Sequence, residues 1–440
     1  MKKKIVVILI FCLIYSLNLF YPLTLDEIWN YGFSYNILNG QVPYRDFNMV
    51  LTPLFSFIMT LPLAIFGNNI LVFNIFNIFI LLLCTFLLYK LVKKNFLLCV
   101  SFFLIPFYVV FPSYNVFLLF LFILLIYLEK NKHNDYLIGF VLGCLILTKQ
   151  SVGCMVLLPG LFYYYKDKKK LISRIIGCLI PCGIFLIYLL ITKSFFQFLD
   201  LCLFGLLDFA KDNSFGIGNG LFIFIVILII TVIFIIKDTK NIYNYYALMF
   251  YSISIPIFDL YHLQFQIIVF ILLCLLNYSK EIFVNAFVIF IFSIIVSTGF
   301  NVVTSYNNLM PFRYPNKIRH FEYRLISDST ISFTNEVNNF ISKNKNSKIY
   351  FLDNYGYYFR IINDEKIDFL DLVNLGNWGY NGRKKIIKYI ESLPENSMFL
   401  IDKEHVNNRS QIDKNAINYI YKHGKNMGSV CNYDIYVLEE

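Results

Sequence analysis

The sequence predicts an α-helical polytopic membrane protein with a small C-terminal α/β domain, and three observations predict it. Of the 440 residues, 58% are hydrophobic and 15% charged, with a mean hydropathy of +0.63; soluble domains run roughly 45–50% apolar and about 25% charged. Apolar runs near the length of a membrane span recur from residue 4 to residue 303. Beyond about residue 304 the chain turns polar, and strand-like and helical patterns interleave.

The N-terminal run MKKKIVVILIFCLIYSLNLFYPL has no small-x-small cleavage site after it, so it reads as an uncleaved first span over 4–22. Further spans are expected at 69–92, 97–112, 115–129, 136–148, 150–165, 171–192, 221–236, 245–258, 263–277 and 282–303, about eleven in all. The run 51–66 carries Pro53 and Pro62 and ends at Gly67, which suits an interfacial or re-entrant helix. With the N-terminus inside, the inner connections hold 15 lysines, and the outer ones only Arg45, Lys149, Lys193 and Lys211. That bias puts the first loop, 23–68, and the C-terminal domain, 304–440, outside.

In the C-terminal domain, KIYFLD (348–353), KIDFLDL (366–372), SMFLID (397–402) and YDIYVLE (433–439) read as strands. Helical patterns fall near 332–344, 383–393 and 413–423, and NLGNWGYNG (374–382) reads as a turn. The net charge of +10 comes from lysines grouped between apolar runs, so no nucleic-acid partner is expected. The ten cysteines form no CxxC pair and support neither a zinc site nor a disulfide framework.

Four outer connections carry candidate chemistry. The first holds Asp26 and Glu27 just after the first span, where burial can raise a carboxyl and ready it to take a proton from a hydroxyl. Asp26 also suits the N-cap of the helix begun by EIWNYGFSYNIL. The second, VPYRDF (42–47), sets Arg45 beside Asp46: an arginine that could grip phosphate, or a plain loop ion pair. The third, LTKQSVG (147–153), is the tip of a short hairpin, with Lys149 and Gln150 at or just below the outer surface. An ammonium there either binds phosphate or snorkels to the headgroups. The fourth, IPIFDLYHLQF (255–265), brings Asp259, Tyr261 and His262 as substrate contacts or as solvated loop residues. Asp208 and Asp212 are weaker candidates, and without a DxD motif no metal or other cofactor is expected.

An Asp-Glu pair after the first span, the PYRDF continuation and the LTKQ tip, in that order, resemble the polytopic GT-C glycosyltransferases. Within them the chain is most similar to the bacterial group around protein O-mannosyltransferase and aminoarabinose transferase (glycosyltransferase family 39-like). The resemblance implies a GT-C-like fold over 1–303 and transfer of a sugar from a polyprenyl-phosphate donor to an extracytoplasmic hydroxyl on a glycan, lipid or protein. It implies Asp26 as base, with Glu27 or Asp46 as second choices. Lys149 and Arg45 would hold the donor phosphate, and Gln150, Asp259, Tyr261 and His262 would line the substrate site. One departure stands out: Asn74 falls where many relatives carry an arginine. The rival readings are a transporter or lipid-linked glycan flippase, a polysaccharide polymerase or ligase, and a non-catalytic membrane anchor. Midplane charges and internal repeats would mark a transporter, and a large outer loop rich in Arg and His would mark a polymerase.

Overall fold

The computed structural model describes residues 23–92, 113–212, 219–255, 258, 260–277, 312–313, 315–353, 355–374, 376–403 and 414–438. The expected spans 4–22, 97–112 and 282–303, and Asp259, lie outside the described residues.

The first loop folds into α1 (Leu25–Leu38) and α2 (Leu54–Phe66). Thr24, not Asp26, caps α1: its Oγ1 accepts the Glu27 N–H at 3.3 Å, which leaves Asp26 in the first turn. Then come α3 (Ile70–Val92), α4 (Tyr114–Lys130), α5 (Asp135–Thr148), α6 (Gln150–Phe162) and α7 (Lys168–Ile191). After α7 a short α8 (Phe195–Leu199), a π turn and α9 (Leu206–Asp212) lead to α10 (Asn219–Lys237), α11 (Ile242–Phe250) and α12 (Leu260–Asn277). Eight of the expected spans thus coincide with helices, and three of these, Ile70–Leu91, Lys168–Ile191 and Gly220–Lys237, are long and apolar enough to cross a bilayer.

Two features fix the bundle. Backbones of α5 and α7 touch through small residues: a Cβ on Gly139 would meet the Arg174 carbonyl oxygen at 2.1 Å, and one on Gly177 the Tyr136 oxygen at 2.1 Å. At the end opposite the first loop lies a buried ionic cluster. Arg174 Nη1 donates to Glu129 Oε1 at 2.6 Å and its Nε to Asp135 Oδ1 at 2.8 Å. Tyr246 donates to Glu129 Oε1 at 2.7 Å, and the guanidinium lies 4.0 Å from the Tyr164 ring centroid. Arg174 is 1% exposed, so four helices and the end of α6 close around one cation.

The C-terminal domain begins with a short antiparallel pair, β1 (Phe312–Arg313) and β2 (Ile326–Ser327), followed by α13 (Asp328–Lys343). Its main sheet has β3 (Ile349–Leu352), β4 (Met398–Asp402), β5 (Gly424–Val430) and β6 (Tyr433–Leu438) in the order β3-β4-β6-β5. β3 and β4 run parallel; the other pairs are antiparallel. Alternation divides the strands: Tyr350, Leu352, Phe399 and Ile401 pack with α15 (Gly382–Glu391) and α16 (Lys414–His423). Phe351, Leu400, Tyr433 and Ile435 join the core that continues through α14 (Gly356–Ile362) into α1.

The expected strand 366–372 is instead a 3-10 turn over Phe369–Leu372. Asp368 and Asp371 form a reciprocal capping box there, and the Asp371 carboxylate is buried against Arg360 at 2.9 Å. An apparent alternation was two caps three residues apart. Strand β5, GKNMGSV, lies exposed at the sheet edge and has no apolar pattern to announce it.

The domain sits directly on the first loop. Tyr357 of α14 packs on Gly32 of α1, where a Cβ would come within 2.3 Å of its ring. Gln41 exchanges two hydrogen bonds with the backbone of Ile367, at 2.9 and 3.2 Å.

Candidate functional site

Lys149 is the only residue between α5 and α6, serving as C-cap of one and N-cap of the other. Its extended backbone (φ −150°, ψ 102°) breaks what would otherwise be one helix. The fold-back is tight enough to demand glycine at 153, since a Cβ there would meet the Ile146 nitrogen at 2.3 Å. In an unbroken helix the Ile146 carbonyl would take the N–H of residue 150; here it accepts from Thr52 Oγ1 at 2.7 Å. Gln150, expected as a substrate contact, bonds to the backbone of the first loop and of residue 202. Its Nε2 donates to the Val50 carbonyl at 2.7 Å and the Cys202 carbonyl at 3.3 Å, and its Oε1 accepts the Thr52 N–H at 3.3 Å.

The hairpin is also short. α5 has 14 residues, about 21 Å at 1.5 Å per residue, against about 30 Å of hydrocarbon. One end of it is anchored by the Arg174 cluster, through Asp135, and the other ends at Lys149. The N-terminus of α6 begins beside that ammonium, which concentrates positive potential at the tip.

Asp26 is tied to this tip through two residues. Asn30 Nδ2 donates to the Asp26 carbonyl at 2.7 Å, and Asn30 Oδ1 accepts the Tyr114 N–H at 3.2 Å, closing the start of α4. The Tyr114 ring in turn holds the Lys149 ammonium 5.5 Å from its centroid. Asp26 is half-buried on the first turn, one helical turn before Trp29. The buried Trp29 Nε1 has no hydrogen-bond partner among the described residues. Neither Asn30 nor Tyr114 stood out in the sequence; the i, i+4 spacing of Asp26 and Asn30 was the one signal available.

Glu27 and Asp46 are each paired with an arginine. Glu27 is fully buried; it pairs with Arg324 of the C-terminal domain and accepts from Asn74 Nδ2 at 3.0 Å. Burial pushes its carboxyl up, while Arg324 and Asn74 pull it down. The arginine expected at 74 is thus an asparagine, and the cation arrives from 324 instead. Asp46 receives both forks of Arg45, at 2.8 and 2.9 Å, and the Val42 N–H at 2.8 Å. Those contacts hold its carboxyl below the usual range, the Arg45 hydrogen bonds most of all. Arg45 also reaches the Thr192 carbonyl at the end of α7, at 3.3 Å. The VPYRDF turn therefore closes on itself, with Tyr44 at φ 71° and its ring and Phe47 buried beneath.

Tyr261 and His262 occupy the first turn of α12. Asp208 faces the C-terminal domain, where it accepts the Asn381 N–H at 2.7 Å.

No protein-family model matches the chain. No curated protein matches it by sequence. Among solved structures, the fold is similar to that of ArnT from Cupriavidus metallidurans, crystallised with undecaprenyl phosphate. The match has a TM-score of 0.57 at 9% identity and covers 99% of this chain and 98% of that one. The match spans nearly the full length of both chains, so it takes in the helical part and the C-terminal domain alike.

Proposed function

We propose that the protein is a membrane glycosyltransferase that moves a sugar from a polyprenyl-phosphate donor to an extracytoplasmic hydroxyl, with Asp26 as general base. The observation that supports this reading is the chain of contacts that runs from the Asp26 backbone carbonyl through Asn30 and the Tyr114 backbone and ring to the Lys149 ammonium at the tip of a short hairpin. The full-length likeness to a protein crystallised with undecaprenyl phosphate supports a lipid phosphate as what that cation meets. The Asp-Glu, PYRDF and LTKQ resemblance supports the transferase class.

The acceptor oxygen attacks the anomeric carbon while the bond from that carbon to the phosphate oxygen breaks. Asp26 takes the hydroxyl proton, and polyprenyl phosphate leaves with the electron pair. That leaving group is already anionic, so a preorganised cation assists it better than an acid. Lys149 supplies the cation, and the N-terminus of α6 adds to it. Glu27 and Asp46, each held by an arginine, act as supports and not as bases. Arg45, expected at the phosphate, fastens the loop to α7. Tyr261 and His262 remain candidates for the acceptor side. The C-terminal domain, seated on α1, fixes the turn that carries Asp26.

The test uses purified full-length protein in nanodiscs. Native mass spectrometry should show undecaprenyl phosphate bound by the wild type, with binding weakened about tenfold or more in Lys149→Ala, the loss of one charge-assisted contact. Asp26→Asn should bind normally yet fail to transfer radiolabelled sugar from polyprenyl-phosphate hexose to membrane acceptors. Full transfer by Asp26→Asn would remove the base. Donor movement across the bilayer without transfer would favour the flippase.

A further inference from the structure

Away from Asp26 and Lys149, a cavity of about 230 Å³ opens where α9 meets the C-terminal domain. Asp208 and Lys211 form one wall; Trp378, Asn381, Arg383 and Lys384 form the other. Lys211, Arg383 and Lys384 thus line one cavity together with Asp208, which accepts the Asn381 N–H at 2.7 Å. The wall is firmly built: Lys385 pairs with Asp200, and Asp200 Oδ1 accepts the Tyr380 N–H at 3.2 Å. The Trp378 indole donates to the Leu372 carbonyl at 3.1 Å.

The segment beside this cavity carries exposed apolar side chains. Phe196 is 80% exposed, Phe204 61%, Leu207 79% and Leu203 46%. Leu207 directly precedes Asp208 and lies one turn before Lys211, so the apolar ridge runs into the cationic mouth. Position explains what such a ridge can touch. The segment 195–212 joins the end of one span-length helix, α7, to the start of another, α10, on the same face of the bundle. Both ends are therefore fixed at one membrane surface. An amphipathic element there buries its apolar side chains at the headgroup boundary, and nearby cations meet lipid phosphates.

We propose that residues 195–212 lie in the outer membrane interface and that the cavity they share with the C-terminal domain binds the phosphate of an anionic phospholipid headgroup. The site would pin the domain to the bilayer. It needs no transferase chemistry, so it stands or falls separately from the function proposed above.

Two tryptophans are present in the chain, Trp29 and Trp378, so Trp29→Phe leaves the indole that lines this cavity as the sole emitter. In phosphatidylcholine nanodiscs, phosphatidic acid spin-labelled near the headgroup should quench Trp378 more steeply than equally labelled phosphatidylcholine. The preference should fall about fivefold for each of Lys211→Ala, Arg383→Ala and Lys384→Ala. It should persist in Lys388→Ala, on the same helix but outside the cavity. Equal quenching by the two lipids would overturn the proposal, as would a preference that survives the triple substitution. Competition by hexose phosphate or inorganic phosphate as effective as that by unlabelled phosphatidic acid would assign the cavity to a soluble anion and overturn the lipid assignment.

Discussion

Two buried glutamates pair with buried arginines at opposite ends of the helical part, and they are built differently. Glu129 and Arg174 are 45 residues apart, and their cluster draws Asp135, Tyr246 and the Tyr164 ring from neighbouring helices. Glu27 and Arg324 are 297 residues apart, and Arg324 comes from a different domain. The first pair locks helices to one another. The second locks a domain to the loop that carries Asp26. A buried pair costs more to break than it gains when whole, because the survivor stays charged and desolvated. The molecule uses that asymmetry at one end to hold the bundle and at the other to hold the site.

Breaking the inner cluster should have the largest effect. Arg174→Met leaves Glu129 and Asp135 without their common cation, a loss of about 3–5 kcal/mol. The expected outcome is poor expression and a sharply lower melting temperature in detergent. Adding Glu129→Gln should recover part of the loss. A stable single variant would mean the cluster is ornamental.

The outer pair should break more selectively, because Asn74 continues to donate to Glu27. Arg324→Asn should loosen the C-terminal domain, seen as faster hydrogen exchange in α14 and α1, while the helical bundle keeps its protection. The sharper variant is the exchange Asn74→Arg with Arg324→Asn, which returns the cation to the position where the resemblance expects it. Protection of α1 should then return and that of α14 should not. If both return, Arg324 is a charge donor only and not the fastening of the domain.

The same contrast shows what could be read in the sequence. Apolar runs gave the helices because burial in lipid or bundle leaves a local signature, and LTKQ gave the hairpin because a lysine interrupts such a run at its middle. Ion pairs leave no such mark. Glu129 and Arg174 look like ordinary ends of spans, and nothing near Arg324 points to residue 27. Asp26 and Lys149 are candidates by their types and their neighbours; Asn30 and Tyr114, which lie between them, make backbone and ring contacts that composition cannot announce. In the C-terminal domain, 366–372 misled because two caps mimic a strand's alternation.

The C-terminal domain has a buried carboxylate of its own that pairs with no cation among the described residues. Asp353 is fully buried; Tyr433 donates to its Oδ2, and the Tyr355 N–H to its Oδ1 at 2.8 Å. Burial pushes its carboxyl up to about 7, with Asp402 and Asp371 adding to the rise. A folded carboxyl that keeps its proton to higher pH than the unfolded one stabilises fully below about pH 4, and that stability is lost as pH rises through 7. Asp353→Asn should therefore stabilise the domain at pH 8 by about 1–3 kcal/mol and change little at pH 4. Hydrogen exchange of β3 and β4 amides across that range measures it. A variant equally stable with wild type at pH 8 would show that Asp353 is comfortably ionised in place.

The smallest effect should come from the one arginine–carboxylate pair of the first loop that faces water. Arg45 and Asp46 have side chains 43% and 28% exposed, and such pairs are worth about 0–1 kcal/mol. Arg45→Ala should thus leave the melting temperature nearly unchanged. Its geometry still bears on the site, since the same guanidinium ties the VPYRDF turn to the Thr192 carbonyl at the end of α7. If Arg45 only fastens the loop, Arg45→Lys should keep the donor affinity, because an ammonium can also bond Asp46. If it grips phosphate through its fork, Arg45→Lys should weaken donor binding nearly as much as Arg45→Ala, since a point charge cannot reproduce a bidentate contact. Donor titration of the two variants therefore decides whether the first loop offers the donor a second cation or only fastens to α7.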